Sequence, residues 1–150
     1  MLKLIATAAL SCMLAGTAFA QTPSSGAQLA GGTWVCSSLT DGLNVISKQS
    51  YAGDGTSTMT LMVFGESDGM NIKIVAEGVG TWNLVGDRLD EVLTRMTATY
   101  ADFGGDQALD IAQDMLDGSM VNVTLTNTAT FAGPTLHLVD IDEVVMDCAR

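Results

Sequence analysis

The chain has 150 residues, enough for one domain around one core. It carries 17 acidic residues against six basic ones, a net charge of −11. That charge repels nucleic acid and anionic membrane surfaces, so neither is an expected partner; a cationic partner is allowed but not demanded.

Residues 1–20 read as a signal peptide. Lys3 gives a positive start, Leu4 to Leu14 is mostly apolar, and Ala18-Phe19-Ala20 offers small residues where a signal peptidase reads. Cleavage before Gln21 is expected. The apolar run is broken by Thr7, Ser11 and Gly16 and is short for a membrane span. A lipid anchor on Cys12 would leave too little apolar chain before it. The mature protein is therefore expected in a periplasm or outside the cell, with no membrane insertion after cleavage.

Residues 21–31, rich in Ser, Gly, Ala and Gln, read as a flexible lead-in, and 32–150 as the folded domain. From Thr33 the chain breaks into short apolar or β-branched segments. Strands are expected over 33–39, 44–51, 57–64, 70–77, 80–85, 88–100, 120–131, 135–141 and 143–149. Asp41-Gly42, Asp54-Gly55 and Asp68-Gly69 are hairpin dipeptides, and Gly86-Asp87 and Gly133-Pro134 also punctuate the pattern. Met70, Ile72, Ile74 and Ala76 alternate with Asn71 and Lys73; Val121, Val123 and Leu125 alternate with Asn122, Thr124 and Thr126. That is the pattern of a sheet with one dry face. Over 57–64 both faces are apolar, Met59, Leu61 and Val63 on one and Met62 and Phe64 on the other, so a cover over the outer side is expected there.

One segment changes period. Residues 108, 109, 112, 115 and 116 are apolar at helical spacing, after Asp106 as an N-cap and before Gly118 as a stop. This short helix would cover a barrel wall or an open end.

After cleavage the cysteines are Cys36 and Cys148. An even count in an exported chain implies a disulfide; two free or intermolecular thiols are the alternative. Many antiparallel strands in so short a chain leave a small closed barrel or a sandwich. A bridge between the first and last strands selects the barrel, because in an up-and-down barrel those strands are neighbours. The expected fold is thus all-β, a small antiparallel up-and-down barrel of about eight strands with one short α-helix.

Gly32-Thr33-Trp34, with Leu29 before it, resembles the Gly-x-Trp motif of the first strand of lipocalins and their calycin relatives. Gly78-Val79-Gly80-Thr81-Trp82-Asn83-Leu84 is similar to a strand of bacterial lipocalin-like proteins. The resemblance implies a tryptophan, Trp34, at the closed end of an eight-stranded barrel, and an arginine packed on it. Arg88, Arg95 and Arg150 are the candidates, and Arg150 would lie near Trp34 if the disulfide forms. The helix falls before the seventh strand, whereas in the usual lipocalin it follows the last ones.

Chemistry is sparse. His137 alternates with Leu136 and Leu138 and reads as an outward polar residue. No nucleophile elbow or phosphate loop is present. Asp140, Asp142, Glu143 and Asp147, and the aspartates around the helix, read as a solvated acidic face. Met59 and Met62 would face opposite ways on a strand, so the methionines read as core filling. No cofactor, metal or enzymatic activity is expected. The expected function is binding: a small apolar ligand carried or sensed in a lumen lined by Ile72, Ile74, Val121 and Val123. The alternative is a filled barrel that binds another exported protein as an inhibitor or envelope accessory. Some bacterial exported inhibitors of secreted proteases resemble this plan, and methionines plugging the lumen would favour it.

Overall fold

A computed structural model describes residues 25–150. The signal peptide read over 1–20, and the first residues of the lead-in, lie outside the described residues. The elements are α1 (Ser25–Leu29), β1 (Thr33–Thr40), β2 (Leu43–Tyr51), β3 (Thr56–Ser67), β4 (Met70–Val85), β5 (Arg88–Phe103), β6 (Asp106–Gln107), α2 (Leu109–Ser119), β7 (Thr124–Ala132), β8 (Thr135–Asp140) and β9 (Val145–Ala149). The sheet runs β4-β3-β2-β1-β9-β8-β7-β5, and β5 pairs back onto β4. Eight antiparallel strands therefore close into an up-and-down barrel, and the two-residue β6 adds to the end of β5.

Turn chemistry sets the register. Asp41 and Gly42, and Asp68 and Gly69, all have positive φ. That is the two-residue hairpin geometry whose twist matches the flanking strands. Asp54 instead caps a longer turn: its Oδ1 accepts from the Thr56 N–H at 3.0 Å and from the Thr56 hydroxyl at 2.7 Å.

Three differences from the sequence pattern have physical causes. First, the segments 70–77 and 80–85 form one strand. Gly78 and Gly80 do not break β4; the register against β5 shifts at Val75/Ala76 and at Val79/Gly80, where Thr99 and Thr94 are the extra residues, so two bulges in β5 bend the paired strands around the barrel. At Gly80 the backbone of β5 comes so close that a Cβ would run into the Val92 carbonyl oxygen. Gly80→Ala is expected to destabilise the fold by about 1–3 kcal/mol, because the obstacle is main chain and cannot swing aside; thermal unfolding of the variant against the parent checks this.

Second, α2 begins at Leu109. Asp106 lies in β6 and is not its N-cap; that position is Ala108, which makes no side-chain cap bond. Gly118 sits inside the helix, and Met115, expected in the buried stripe, is exposed. The buried residues are Ala112 and Leu116. Ala112 packs with Ile74 and Ala101, and Leu116 with Leu61, Ala76, Leu93 and Met96. The helix thus lies over the inner face of the β3–β5 wall. Gln113 fastens it there: its Nε2 donates to the Met96 carbonyl and its Oε1 accepts from the Ala98 N–H, each at 2.9 Å. The helix covers the interior, and the outer side of 57–64 keeps Met62 and Phe64 half-buried among neighbouring strands.

Third, part of the lead-in is ordered. α1 carries Leu29, which is fully buried in the same cluster as Trp34, Tyr51, Leu89, Leu136 and Leu138.

Candidate functional site

The alternation of β1 turns Trp34 and Cys36 to the interior. Trp34 is fully buried; its Nε1–H donates to the Leu29 carbonyl at 2.9 Å, and its ring meets Phe131 at 6.2 Å between centroids. The Arg150 guanidinium lies 4.6 Å from the Trp34 ring centroid, and its Nη1 donates to the Gln28 carbonyl at 2.9 Å. A short helix, the first strand and the last residue of the chain therefore close one end of the barrel together. Cys36 and Cys148 sit directly opposite each other on β1 and β9 and are bridged, with Cα atoms 3.9 Å apart.

Between this closed end and the cluster under α2 lies a cavity of about 110 Å³. Its apolar wall is Val45, Leu61, Leu93, Leu125 and Leu138 with the methionines Met59, Met120 and Met146. Its polar wall is Ser47, Gln49, Glu91 and Asn127. Alternation along β2 explains the first two: Val45, Ser47, Gln49 and Tyr51 share the inner parity. On β5, Leu89, Glu91 and Leu93 do the same.

These polar groups are connected. The Tyr51 hydroxyl donates to Gln49 Oε1. Gln49 Nε2 donates to the Ser47 hydroxyl at 3.2 Å and reaches Met59 Sδ at 3.6 Å; Ser47 Oγ reaches Met146 Sδ at 3.9 Å. The Tyr51 hydroxyl also reaches the Glu91 carboxyl, so Gln49 Oε1 and the Glu91 carboxylate compete for its one proton. Burial pushes the Glu91 carboxyl up to about 7, and the Tyr51 hydrogen bond offsets only part of that. The Tyr51 phenol is raised well above its ordinary value, first by burial and then by the neighbouring Glu91 charge.

The residues expected to line the lumen lie elsewhere. Ile72 and Ile74 face inward but pack with Ala101 and Phe103 under α2. Val121 packs on the Leu61–Leu93 cluster. Val123 is 41% exposed and points away from the core. The reason is local: Asn122 takes a left-handed φ of 61°, and β7 begins only at Thr124, so the alternation of 121, 123 and 125 is broken before the strand starts. None of the four lines the cavity. The cavity's polar residues went unrecognised in the sequence, although Leu89-x-Glu91-x-Leu93 carries the signal: an acid on an apolar parity. His137 stands on the outer face, with Nδ1 2.6 Å from Asp147 Oδ1, both exposed.

The closed eight-stranded antiparallel barrel, filled at one end by a tryptophan cluster and hollow at its middle, is consistent with a calycin-like fold. A scan against protein-family models finds no match for the chain, and a search of curated proteins finds none either.

Proposed function

We propose that the chain is an exported, non-enzymatic binding protein of the lipocalin-like kind that holds a small ligand in its lumen. The observation that carries this is the cavity of about 110 Å³, apolar on most sides and polar on one. Ligand sites have that make-up: apolar walls for affinity and a few placed polar groups for orientation. The volume bounds the cargo. A dry cavity of roughly 150 Å³ holds a benzene-sized molecule, so the ligand is of that size or smaller, not a long acyl chain. The buried disulfide supports export, since such bonds persist in oxidising compartments. Among the described residues no helix is long and apolar enough to cross a membrane.

A second reading has its own support. Ile46, Met62, Val75 and Tyr100 are register partners across β2, β3, β4 and β5 and form an apolar row on the outer face. Met59, Met96, Met120 and Met146 also fill much of the lumen. Both features suit a barrel that binds another exported protein by its surface.

Native mass spectrometry of the protein purified from its own host separates the two. The lumen reading expects an adduct of on the order of 100 Da that is lost on denaturation. An empty lumen together with a co-purifying protein released by Tyr100→Asp would move the assignment to the outer face.

A further inference from the structure

Glu91 is a carboxyl group in the wrong place for a folded interior. Its side chain is 8% exposed, on the inner face of β5, between the register partners Trp82 and Leu125. A buried carboxylate normally has a basic partner, because burying an unpaired charge costs several kcal/mol or more. Here there is none. All five basic side chains among the described residues, Lys48, Lys73, Arg88, Arg95 and Arg150, are exposed. The elements facing Glu91 bring Trp82 from β4, Leu125 and Asn127 from β7, Gln49 and Tyr51 from β2, Leu138 from β8 and Met146 from β9. Only Tyr51 among these titrates, and none is cationic.

The carboxyl fronts the cavity, and the rest of the polar wall can accept hydrogen bonds: the Ser47 hydroxyl, the Asn127 amide and the methionine sulfurs. The opposite wall is aliphatic. This is a socket with one anionic corner and an apolar remainder, in a protein whose net charge of −11 draws cations toward it.

Resting on the reading of the lumen as the binding site, we propose that its ligand class is a small organic amine, with the ammonium group on Glu91 and roughly four or five carbon atoms against the methionine and leucine wall. The ammonium supplies the charge partner that the fold omits. Binding is then linked to proton release. The carboxyl titrates at about 7 when the cavity holds no cation, and the bound ammonium requires its ionised form. Alkylamines stay protonated below about pH 9, so Glu91 alone sets the pH dependence, and affinity falls about tenfold per pH unit below 7.

Isothermal titration with n-butylamine, 1-butanol and butyrate tests this. The three share size and differ in the head group. At pH 8 the amine is expected to bind at least tenfold more tightly than the alcohol, and butyrate not at all. Glu91→Gln is expected to lose the amine preference while keeping its near-ultraviolet circular dichroism. Between pH 7 and pH 5 the parent is expected to lose about fiftyfold in amine affinity. Butanol binding as tightly as butylamine, or a Glu91→Gln variant that retains the preference, would overturn the amine assignment and leave the lumen reading standing. If neither amine nor alcohol binds, both fall.

Discussion

The double replacement Cys36→Ala, Cys148→Ala is expected to lower the unfolding free energy by about 3–5 kcal/mol and Tm by on the order of 10–20 °C. The bridge spans 112 residues of sequence, so it closes almost the whole folded chain into one loop. Loop-closure entropy for that length is about 4–5 kcal/mol, taken from the unfolded state. The native state adds a second reason. β9 holds β1 through only three register pairs, Val35 to Ala149, Cys36 to Cys148 and Ser37 to Asp147, and the disulfide is the middle one. This is the seam at which the barrel closes. Both cysteines are buried beside Trp34, so alanine avoids leaving a polar group there. Urea unfolding of parent and variant measures the loss, and hydrogen exchange locates it: amides of β1 and β9 are expected to lose protection before those of β3 and β4. A loss below 1 kcal/mol would mean that the reduced, unfolded chain is already compact enough to hold its ends together.

The same pair of residues shows how far a sequence carries. Cysteine count, hairpin dipeptides and period-2 alternation were enough to reach an eight-stranded up-and-down barrel, because each encodes a backbone choice that needs no partner to be understood. The bridge then made the first and last strands neighbours, and Arg150 falls beside Trp34 through that adjacency. Alternation failed where the backbone changed hand. One left-handed residue, Asn122, sends Val123 to solvent. The glycines in β4 read as an interruption because a turn and a close backbone approach use the same residue; only the partner strand distinguishes them. Helical spacing locates α2, but its N-terminus lacks a side-chain cap, and Asp106, the capping type nearest by sequence, lies two residues before the N-cap position.

The lumen was least legible. Which inward residues border empty space depends on how far each side chain fills a curved wall, and that is set by packing across strands distant in sequence. Ile72 and Val121 are inward-facing apolar residues like Leu61 and Leu125, yet only the latter two reach the cavity. Glu91 could have been found. An acid flanked at i−2 and i+2 by leucines on a strand is out of place, and out-of-place residues mark function more often than well-placed ones.

That misplacement should be visible in the dependence of stability on pH. Glu91 has an ordinary value near 4.5 and titrates at about 7 in the fold, chiefly because burial disfavours its charge. The folded state therefore binds this proton more tightly than the unfolded state. Its contribution is full below about pH 4.5 and is lost as pH rises through 7, a change of about 3 kcal/mol. Asp54 and Asp90 act in the opposite sense and in another range. Hydrogen bonds from Thr56 and Thr126 respectively hold them below the usual carboxylate value, so what they contribute is present above that value and is lost only as pH falls beneath it. Between pH 5 and 8 the parent should thus lose stability, while Glu91→Gln should stay nearly flat and exceed the parent at pH 8 by about 2–3 kcal/mol. The comparison with the variant removes the self-repulsion of the other acidic residues, which both proteins share. Urea unfolding at pH 5, 6, 7 and 8 provides the curves. Saturating butylamine at pH 8 should restore much of the parent's deficit and leave the variant unchanged, because only the parent has a charge for the amine to meet. Two flat curves would mean that the carboxylate is hydrated in the fold, and the case for a socket awaiting a cation would lose its premise.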